Sequence, residues 1–287
     1  MPTLKHIIKK ILPLDMRHNI KRYKRKLKNA LKGNVPKTTI DDLRHALVEE
    51  LGIKRGDRIL VTSGFASLNA DYSPQQVVDL LKEIVGEEGV IGMPYYPPMN
   101  SNEWAEKQEV FDMRNTRSGM GVLTNVFAKS EGVVMTWHPI KALCLWGNYD
   151  YQPEKHAAAL TPFYKDSPYM LFMGEKGKSV GLGVKNMPMF HMFEDLIFED
   201  YHHCYLPKAY HLRLKDTLGK EHTIRTLVHD GNLQDNAMVI GNYVNTLGDK
   251  NYKRIPFGYT FLYAAANQPL LETVKNRYAE GYTRWSN

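Results

Sequence analysis

Arg58-Ile59-Leu60-Val61-Thr62-Ser63-Gly64-Phe65-Ala66-Ser67-Leu68 runs from a charged residue through an apolar core into small and hydroxyl-bearing residues. A short aliphatic run without polar alternation suits a strand buried on both faces. The loop that follows exposes backbone N–H groups and hydroxyls at the carboxyl end of that strand, where phosphates bind well in α/β proteins. The same residues would serve in a plain strand-to-helix turn. Upstream, Thr39 can cap a helix running to Leu51, with Asp41 and Asp42 in its first turn and Gly52 ending it. Arg55-Gly56-Asp57 then turns the chain into the strand. Downstream, Ser73-Pro74 is a cap followed by proline at the first helical position, which predicts a helix over Gln75–Val85 closed by Gly86. Val90–Met93 reads as the next buried strand, ended by Pro94.

The alternation continues. A helix is expected from Gly119 to Ala128, strands near Val133–Met135 and Ala142–Trp146, a strand over Lys178–Val184 and a helix over Met189–Tyr201. His211–Leu214 and His222–Leu227 read as a hairpin around Leu218-Gly219. Beyond about residue 230 the periodicity weakens. Strands interleaved with helices predict an α/β sandwich with helices on both faces.

The 287 residues are enough for one large core. Two cysteines, Cys144 and Cys204, are too few for a disulfide framework and favour a reducing, cytoplasmic setting. No apolar run reaches the length of a transmembrane helix. The net charge of +7 is unevenly placed. Residues 1–37 hold twelve Lys and Arg against Asp15 alone, about +11, leaving 26 basic against 30 acidic residues, a net of −4. The chain is therefore read as a basic arm, 1–37, and an α/β domain, 38–287.

Within the arm, Leu4, Ile7, Ile8, Ile11 and Leu12 form one apolar stripe and Ile20, Tyr23, Leu27, Ala30 and Leu31 a second, with lysines and arginines around both. A basic amphipathic helix suits an anionic membrane surface, here the inner face. Packing on the body or on a second copy of the chain would use the same stripes. Nucleic acid is disfavoured, because Tyr23 is the arm's only aromatic and the body has no basic patch in sequence.

Farther along, Ser118-Gly119-Met120-Gly121 is followed by His138-Pro139 and by His191-Met192-Phe193-Glu194. His191 and Glu194 are three apart and share one helix face, a spacing that lets a carboxylate orient an imidazole and support the charge it gains with a proton. In this order and at these separations the blocks resemble the aminoglycoside 3-N-acetyltransferase family, which moves an acetyl group from acetyl-CoA to a sugar amine. The resemblance covers roughly residues 38–270. It implies a three-layer α/β/α sandwich and a coenzyme A loop at Thr62, Ser63, Gly64 and Ser67, with Thr62 where the family usually has His. It further implies that Arg114, Thr116, Ser118, Met120 and Gly121 lie by the cofactor, at a helix N-terminus suited to an anion.

His191 is then the general base and Glu194 its partner, with His138 or backbone N–H groups available to a developing oxyanion. Met187-Pro188-Met189-Phe190 stand where the family has Asn and Thr just before the catalytic His, so the cofactor half matches better than the acceptor half. A mildly acidic body is a poor match for a polycationic antibiotic. The expected acceptor is an amino-sugar intermediate of a surface polysaccharide, nucleotide- or lipid-linked. Antibiotic acetylation is the alternative reading, and a membrane-associated binding protein on an inherited fold the non-enzymatic one. No metal is expected: His202 and His203 are adjacent and diverge, and no second closely spaced ligand pair joins them, Cys204, His191 and His211. Trp104, Trp137, Trp146 and Trp285 read as core residues, with Trp137, beside His138, the one candidate sugar platform.

Overall fold

The computed structural model describes residues 35–197, 204–230, 248 and 250–281. The basic stripes of the arm, His202, His203, Trp285 and the far end of the helix expected to reach Tyr201 lie outside the described residues. The chain divides into two units, Met1–Lys37 and Thr38–Asn287, and the sheets belong to the second.

In chain order the strands are β1 (Arg58–Ser63), β2 (Val90–Tyr95), β3 (Val110–Asp112), β4 (Val134–Met135), β5 (Ala142–Gly147), β6 (Gly177–Leu182), β7 (Tyr210–Lys215), β8 (Glu221–Thr226), β9 (Tyr252–Phe257) and β10 (Thr260–Ala266). Seven of them form one sheet in the order β4-β5-β2-β1-β6-β10-β9. The central strands β2, β1 and β6 are parallel, and the flanking strands join antiparallel. Along β1, Ile59 and Val61 enter the core on one face while Leu60 enters the core on the other, as the two-residue period of a strand requires. That double burial explains why the strand reads as an unbroken apolar run.

Helices cover both faces. On the first lie α1 (Ile40–His45), continued by a π turn over Ala46–Glu50, α2 (Pro74–Val85), and further along the chain α3 (Ser101–Lys107) and α4 (Val122–Phe127). On the second lie α5 (Met189–Ile197) and α6 (Asn267–Ala279), packed with Phe163, Tyr169 and Phe172. The arrangement is the expected three-layer sandwich. Thr39 and Ser73 both make reciprocal capping boxes, with Asp42 and Gln76, each cap being worth about 1 kcal/mol. Helix α2 buries Val77, Val78, Leu80, Leu81, Ile84 and Val85, at roughly 1.5–3 kcal/mol for each large aliphatic side chain.

Two expectations need correction, and two features lay beyond the sequence reading. Pro94 does not end β2; it lies inside the strand, opposite Leu143 of β5. Strand β1 pairs with β2 only as far as Leu60↔Gly92, so beyond Gly92 this strand no longer has a β1 partner and tolerates a residue without an N–H. The helix expected from Gly119 begins at Val122, because Ser118–Gly121 forms a turn of its own. The hairpin β7–β8 does not extend the main sheet. It forms a separate three-stranded sheet with β3, in the order β3-β7-β8. The segment after residue 230, weak in periodicity, supplies both β9 and β10, whose antiparallel pairing continues the main sheet beyond β6.

Candidate functional site

Three parallel strands end side by side at Ser63, Tyr95 and Leu182. The loops leaving such ends form the crevice in which α/β proteins bind ligands. After β1, the Gly64 N–H donates to Leu182 O at 2.8 Å and the Ser67 hydroxyl donates to Gly64 O at 2.6 Å. A Cβ on Gly64 would lie 2.9 Å from Gly183 O, so only glycine lets these two loops approach. Thr62 is buried and donates to Asn186 O at 3.0 Å, which also accepts from the Tyr263 hydroxyl at 2.6 Å. Thr62 thus ties the strand end to the segment leading into α5. Its hydroxyl is committed to that tie.

Ser63 is different. Its hydroxyl oxygen is shielded from solvent and makes no hydrogen bond among the described residues. Gly121, the N-cap of α4, sits beside the Ser63 carbonyl with φ 110°, a value favoured by glycine. The preceding turn is closely held: Ser118 Oγ donates to Tyr96 O at 3.2 Å and accepts from Met120 N–H at 3.0 Å, while the Asn125 side chain bonds the backbone of Ser118 and Gly121. Thr116 is fixed through its carbonyl, which accepts from the Tyr95 hydroxyl at 2.8 Å. The Arg114 guanidinium lies against Gly219 in the β7–β8 turn. Ser63, Gly64, Ser67 and Gly121 therefore form one cradle, Ser118 and Met120 brace it, and Arg114 projects toward the small sheet. An orphaned serine hydroxyl beside a glycine-lined approach fits a phosphate-bearing group such as coenzyme A.

On α5, His191 is 22% exposed while Glu194 is fully buried, and His191 Nδ1 lies 3.9 Å from Glu194 Oε2. That distance exceeds a hydrogen bond. The Tyr278 hydroxyl from α6 donates to Glu194 Oε1 at 3.1 Å and holds it in place. Phe163 stacks on the His191 ring at 5.0 Å and 22°.

A chain of contacts that the sequence did not disclose links this histidine to the cradle. Tyr96, whose carbonyl holds the Ser118-Gly119 turn, shares a 2.7 Å hydrogen bond with the Tyr169 hydroxyl. Tyr169 packs edge-on against Phe163 at 4.7 Å. The Lys141 ammonium lies over the Tyr96 ring at 4.4 Å. The available signal was the Tyr95-Tyr96-Pro97-Pro98 cluster at the end of a buried strand, a place where aromatic and proline residues do more than close a turn.

His138 is corrected to a structural role. It is fully buried, and its Nδ1 accepts from the N–H groups of Ile140 and Lys141 at 3.3 and 3.1 Å. The proton is therefore on Nε2, which donates to Thr226 Oγ1 at 3.2 Å. Burial, with His156 and Lys141 nearby, holds its pKa well below the usual imidazole range. A ring committed at both nitrogens has nothing to offer an oxyanion. Trp137 packs on His222, ring centroids 4.7 Å apart, and His222 pairs with Asp216 at 2.7 Å. Among the described residues, no group of three or more His, Cys, Asp and Glu side chains is arranged to hold a metal, and no helix is long and apolar enough to cross a membrane.

A separate groove of about 850 Å³ is lined by Arg58, Tyr151, Lys155, Tyr164, Lys165 and Ser167 among others. Arg58 opens β1 whereas Ser63 closes it, so part of this groove lies at the opposite end of the strand from the cradle.

Next to Glu194, Asp195 is buried and accepts from the Tyr205 hydroxyl at 2.9 and 2.8 Å. Burial raises its pKa to about 7, against the lowering effect of the hydroxyls of nearby Thr161 and of Tyr205. An unfolded aspartate titrates near 4, so between about pH 4 and 7 the folded chain keeps a proton that the unfolded chain has lost, and stability falls as pH rises through that window. Asp195→Asn keeps an acceptor for Tyr205 and removes the titration. Thermal melts across pH should show the variant more stable than wild type at pH 8, by on the order of 3 kcal/mol, and the gap closing below about pH 4. Parallel curves would refute the assignment.

The fold matches solved structures closely in shape and distantly in sequence. It superposes with TM-score 0.67 on AAC-IIIb, solved as a binary complex with CoASH, at 17% identity over 88% of this chain and 100% of that one. For aminoglycoside acetyltransferase AAC(3)-Xa the TM-score is 0.68 at 17% identity, over 91% and 98%. A mutant of AAC(3)-IVa in complex with a gentamicin gives 0.67 at 18%, over 86% and 91%. These likenesses show the fold, a three-layer α/β sandwich. The family model for aminoglycoside 3-N-acetyltransferase matches residues 60–279, and the chain belongs to that family. It is an N-acetyltransferase.

Proposed function

We propose that the chain transfers an acetyl group from acetyl-CoA to the amine of an amino sugar by direct transfer, with His191 as general base and Glu194 as the carboxylate that supports it. The observation carrying this reading is the pair itself: a partly exposed imidazole 3.9 Å from a buried carboxylate, on the helix that follows the β6 loop. A sugar ammonium has no free electron pair and must lose its proton before it can attack a thioester. Neutral His191 can take that proton, and Glu194 stabilises the imidazolium formed. Acetyl-CoA supplies the activated acetyl group. Ser63, Gly64, Ser67 and Gly121 are the proposed contacts for it, with Ser118 and Met120 bracing the turn, Thr62 and Thr116 holding the flanking backbone, and Arg114 at the rim.

The proposed acceptor is an amino-sugar intermediate of surface polysaccharide synthesis, nucleotide- or lipid-linked. In support, residues 38–287 carry a net charge of only −4, and Met187-Pro188-Met189-Phe190 stand where the family resemblance implies Asn and Thr before the histidine. The rival acceptor is an aminoglycoside such as the gentamicin bound by a structural neighbour. Offering the purified enzyme a nucleotide-linked amino sugar and that gentamicin in parallel separates the two. Faster acetylation of the sugar nucleotide supports the proposal, and a large rise in gentamicin resistance on expression in a sensitive bacterium reverses it.

The arm is proposed to place a cytoplasmic enzyme on the inner face of an anionic membrane, where a lipid-linked acceptor would be presented. Each basic residue near such a surface is worth about 1 kcal/mol, less as salt screens it. Deleting residues 2–36 should abolish sedimentation with anionic vesicles at low salt yet leave acetylation of a soluble acceptor intact. Loss of coenzyme A binding in the truncated chain would instead assign the arm to packing on the body or a second subunit.

A further inference from the structure

Two imidazoles from distant parts of the chain meet at α5. His191 comes from the first turns of α5 and His229 from the segment after β8, and their ring centroids are 4.4 Å apart at an interplanar angle of 35°. Phe163 covers both, at 5.0 Å from His191 and 5.4 Å from His229. His229 also stacks on Tyr205, at 4.2 Å and 16°, and a backbone bridge joins Tyr205 to His229. The Tyr205 hydroxyl is bound by both oxygens of Asp195, which lies one turn beyond His191 on the same helix. The contacts therefore close a ring: α5 holds Asp195, Asp195 holds Tyr205, Tyr205 backs His229, and His229 backs His191. Both nitrogens of His229 are shielded from solvent, and its ring lies against that of His191.

We propose that His229 is a positioning residue for His191, clamped by the Tyr205–Asp195 pair, and that the two imidazoles titrate as one coupled unit. The proposal rests on the reading of His191 as the base. Two imidazolium charges at this separation repel, so the pair takes its two protons in separate steps, about one pH unit or more apart. At least one ring then stays neutral to lower pH than an isolated histidine would allow, and neutrality is what a proton acceptor needs. Among the described residues, the other titratable groups around the pair are Glu194 and Asp195 on α5, Tyr278 of α6 through Glu194, and Tyr205, with the Lys141 ammonium 6.0 Å from the centre of the Phe163 ring that covers both imidazoles. None of these substitutes for a second imidazole. A carboxylate at the Glu194 position favours a protonated His191 over a neutral one.

The test is an imidazole nitrogen NMR titration of the full chain, which needs neither acceptor nor turnover. In wild type the His191 curve should be stretched beyond a single-proton transition. In His229→Phe, which keeps a flat ring on Tyr205, it should collapse to a one-proton curve with its midpoint about one unit higher. Coupling is reciprocal, so the His229 curve should shift by the same amount in His191→Phe. That second variant, or His229→Gln, decides the matter should His229→Phe not fold. A His191 curve identical in wild type and His229→Phe, or a His229 curve unmoved in His191→Phe, overturns the proposal. Coupled curves together with full activity in His191→Ala would instead overturn the base assignment and leave the coupling standing, so the two failures are distinguishable.

Discussion

His191→Ala should lower turnover by about two to four orders of magnitude, the usual worth of a positioned general base. The loss should fall on kcat, with the affinity for acetyl-CoA little changed. His191 sits on α5, backed by Phe163 and 3.9 Å from Glu194, whereas the cradle at Ser63, Gly64 and Gly121 is built from the β1 loop and the N-terminus of α4. Glu194→Gln should show the same signature more weakly, because it removes a charge that favours the imidazolium and leaves the imidazole. The rate should also recover partially as pH rises, since an amine that deprotonates in solution needs less help from a base. Steady-state kinetics across pH read all three effects. Equal rates for wild type and His191→Ala would remove the assignment.

Phe163→Ala should cost about 3–5 kcal/mol of stability, the range for emptying a fully buried aromatic site. Phe163 has no exposed surface, and it contacts Tyr169, His191 and His229 at once, with ring centroids 4.7, 5.0 and 5.4 Å away. The truncated side chain leaves a cavity under the one histidine that must hold its orientation. Phe163→Leu separates packing from placement. It should recover most of the stability in chemical denaturation and still turn over about tenfold more slowly, because the flat partner that fixes the ring is gone and misplacement is costly in catalysis. Full activity in the leucine variant would reduce Phe163 to a packing residue.

The parts of this molecule that were legible in the sequence are those in which local and tertiary signals agree. Strand β1 is buried on both faces and reads as an apolar run, and α2 carries its cap, its proline and its closing glycine in the sequence itself. The order and spacing of Ser118–Gly121, His138-Pro139 and His191–Glu194, with the Thr62–Leu68 loop before them, disclosed the family. Pro94 misled, because proline reads as a strand end and the missing β1 partner beyond Gly92 is a tertiary fact. The second sheet was hidden for a similar reason: β3 is only three residues, Val110–Asp112, and pairs with a strand about a hundred residues away.

The site divides along the same line. His191 and Glu194 declare themselves by helical spacing, a local property. Phe163 and His229 contact the same histidine from separate segments, backed in turn by Tyr169 with Tyr96 and by Tyr205, and nothing in their spacing announces it. His138 shows the converse. A histidine beside a proline looked available for chemistry, yet its nitrogens serve a backbone turn and Thr226.

The most direct measurement is a calorimetric titration of the full chain with acetyl-CoA, repeated on His191→Ala. Saturable one-site binding of similar affinity in both proteins, paired with the loss of turnover in the variant, is the expected result. The absence of binding to wild type at millimolar acetyl-CoA would contradict the account.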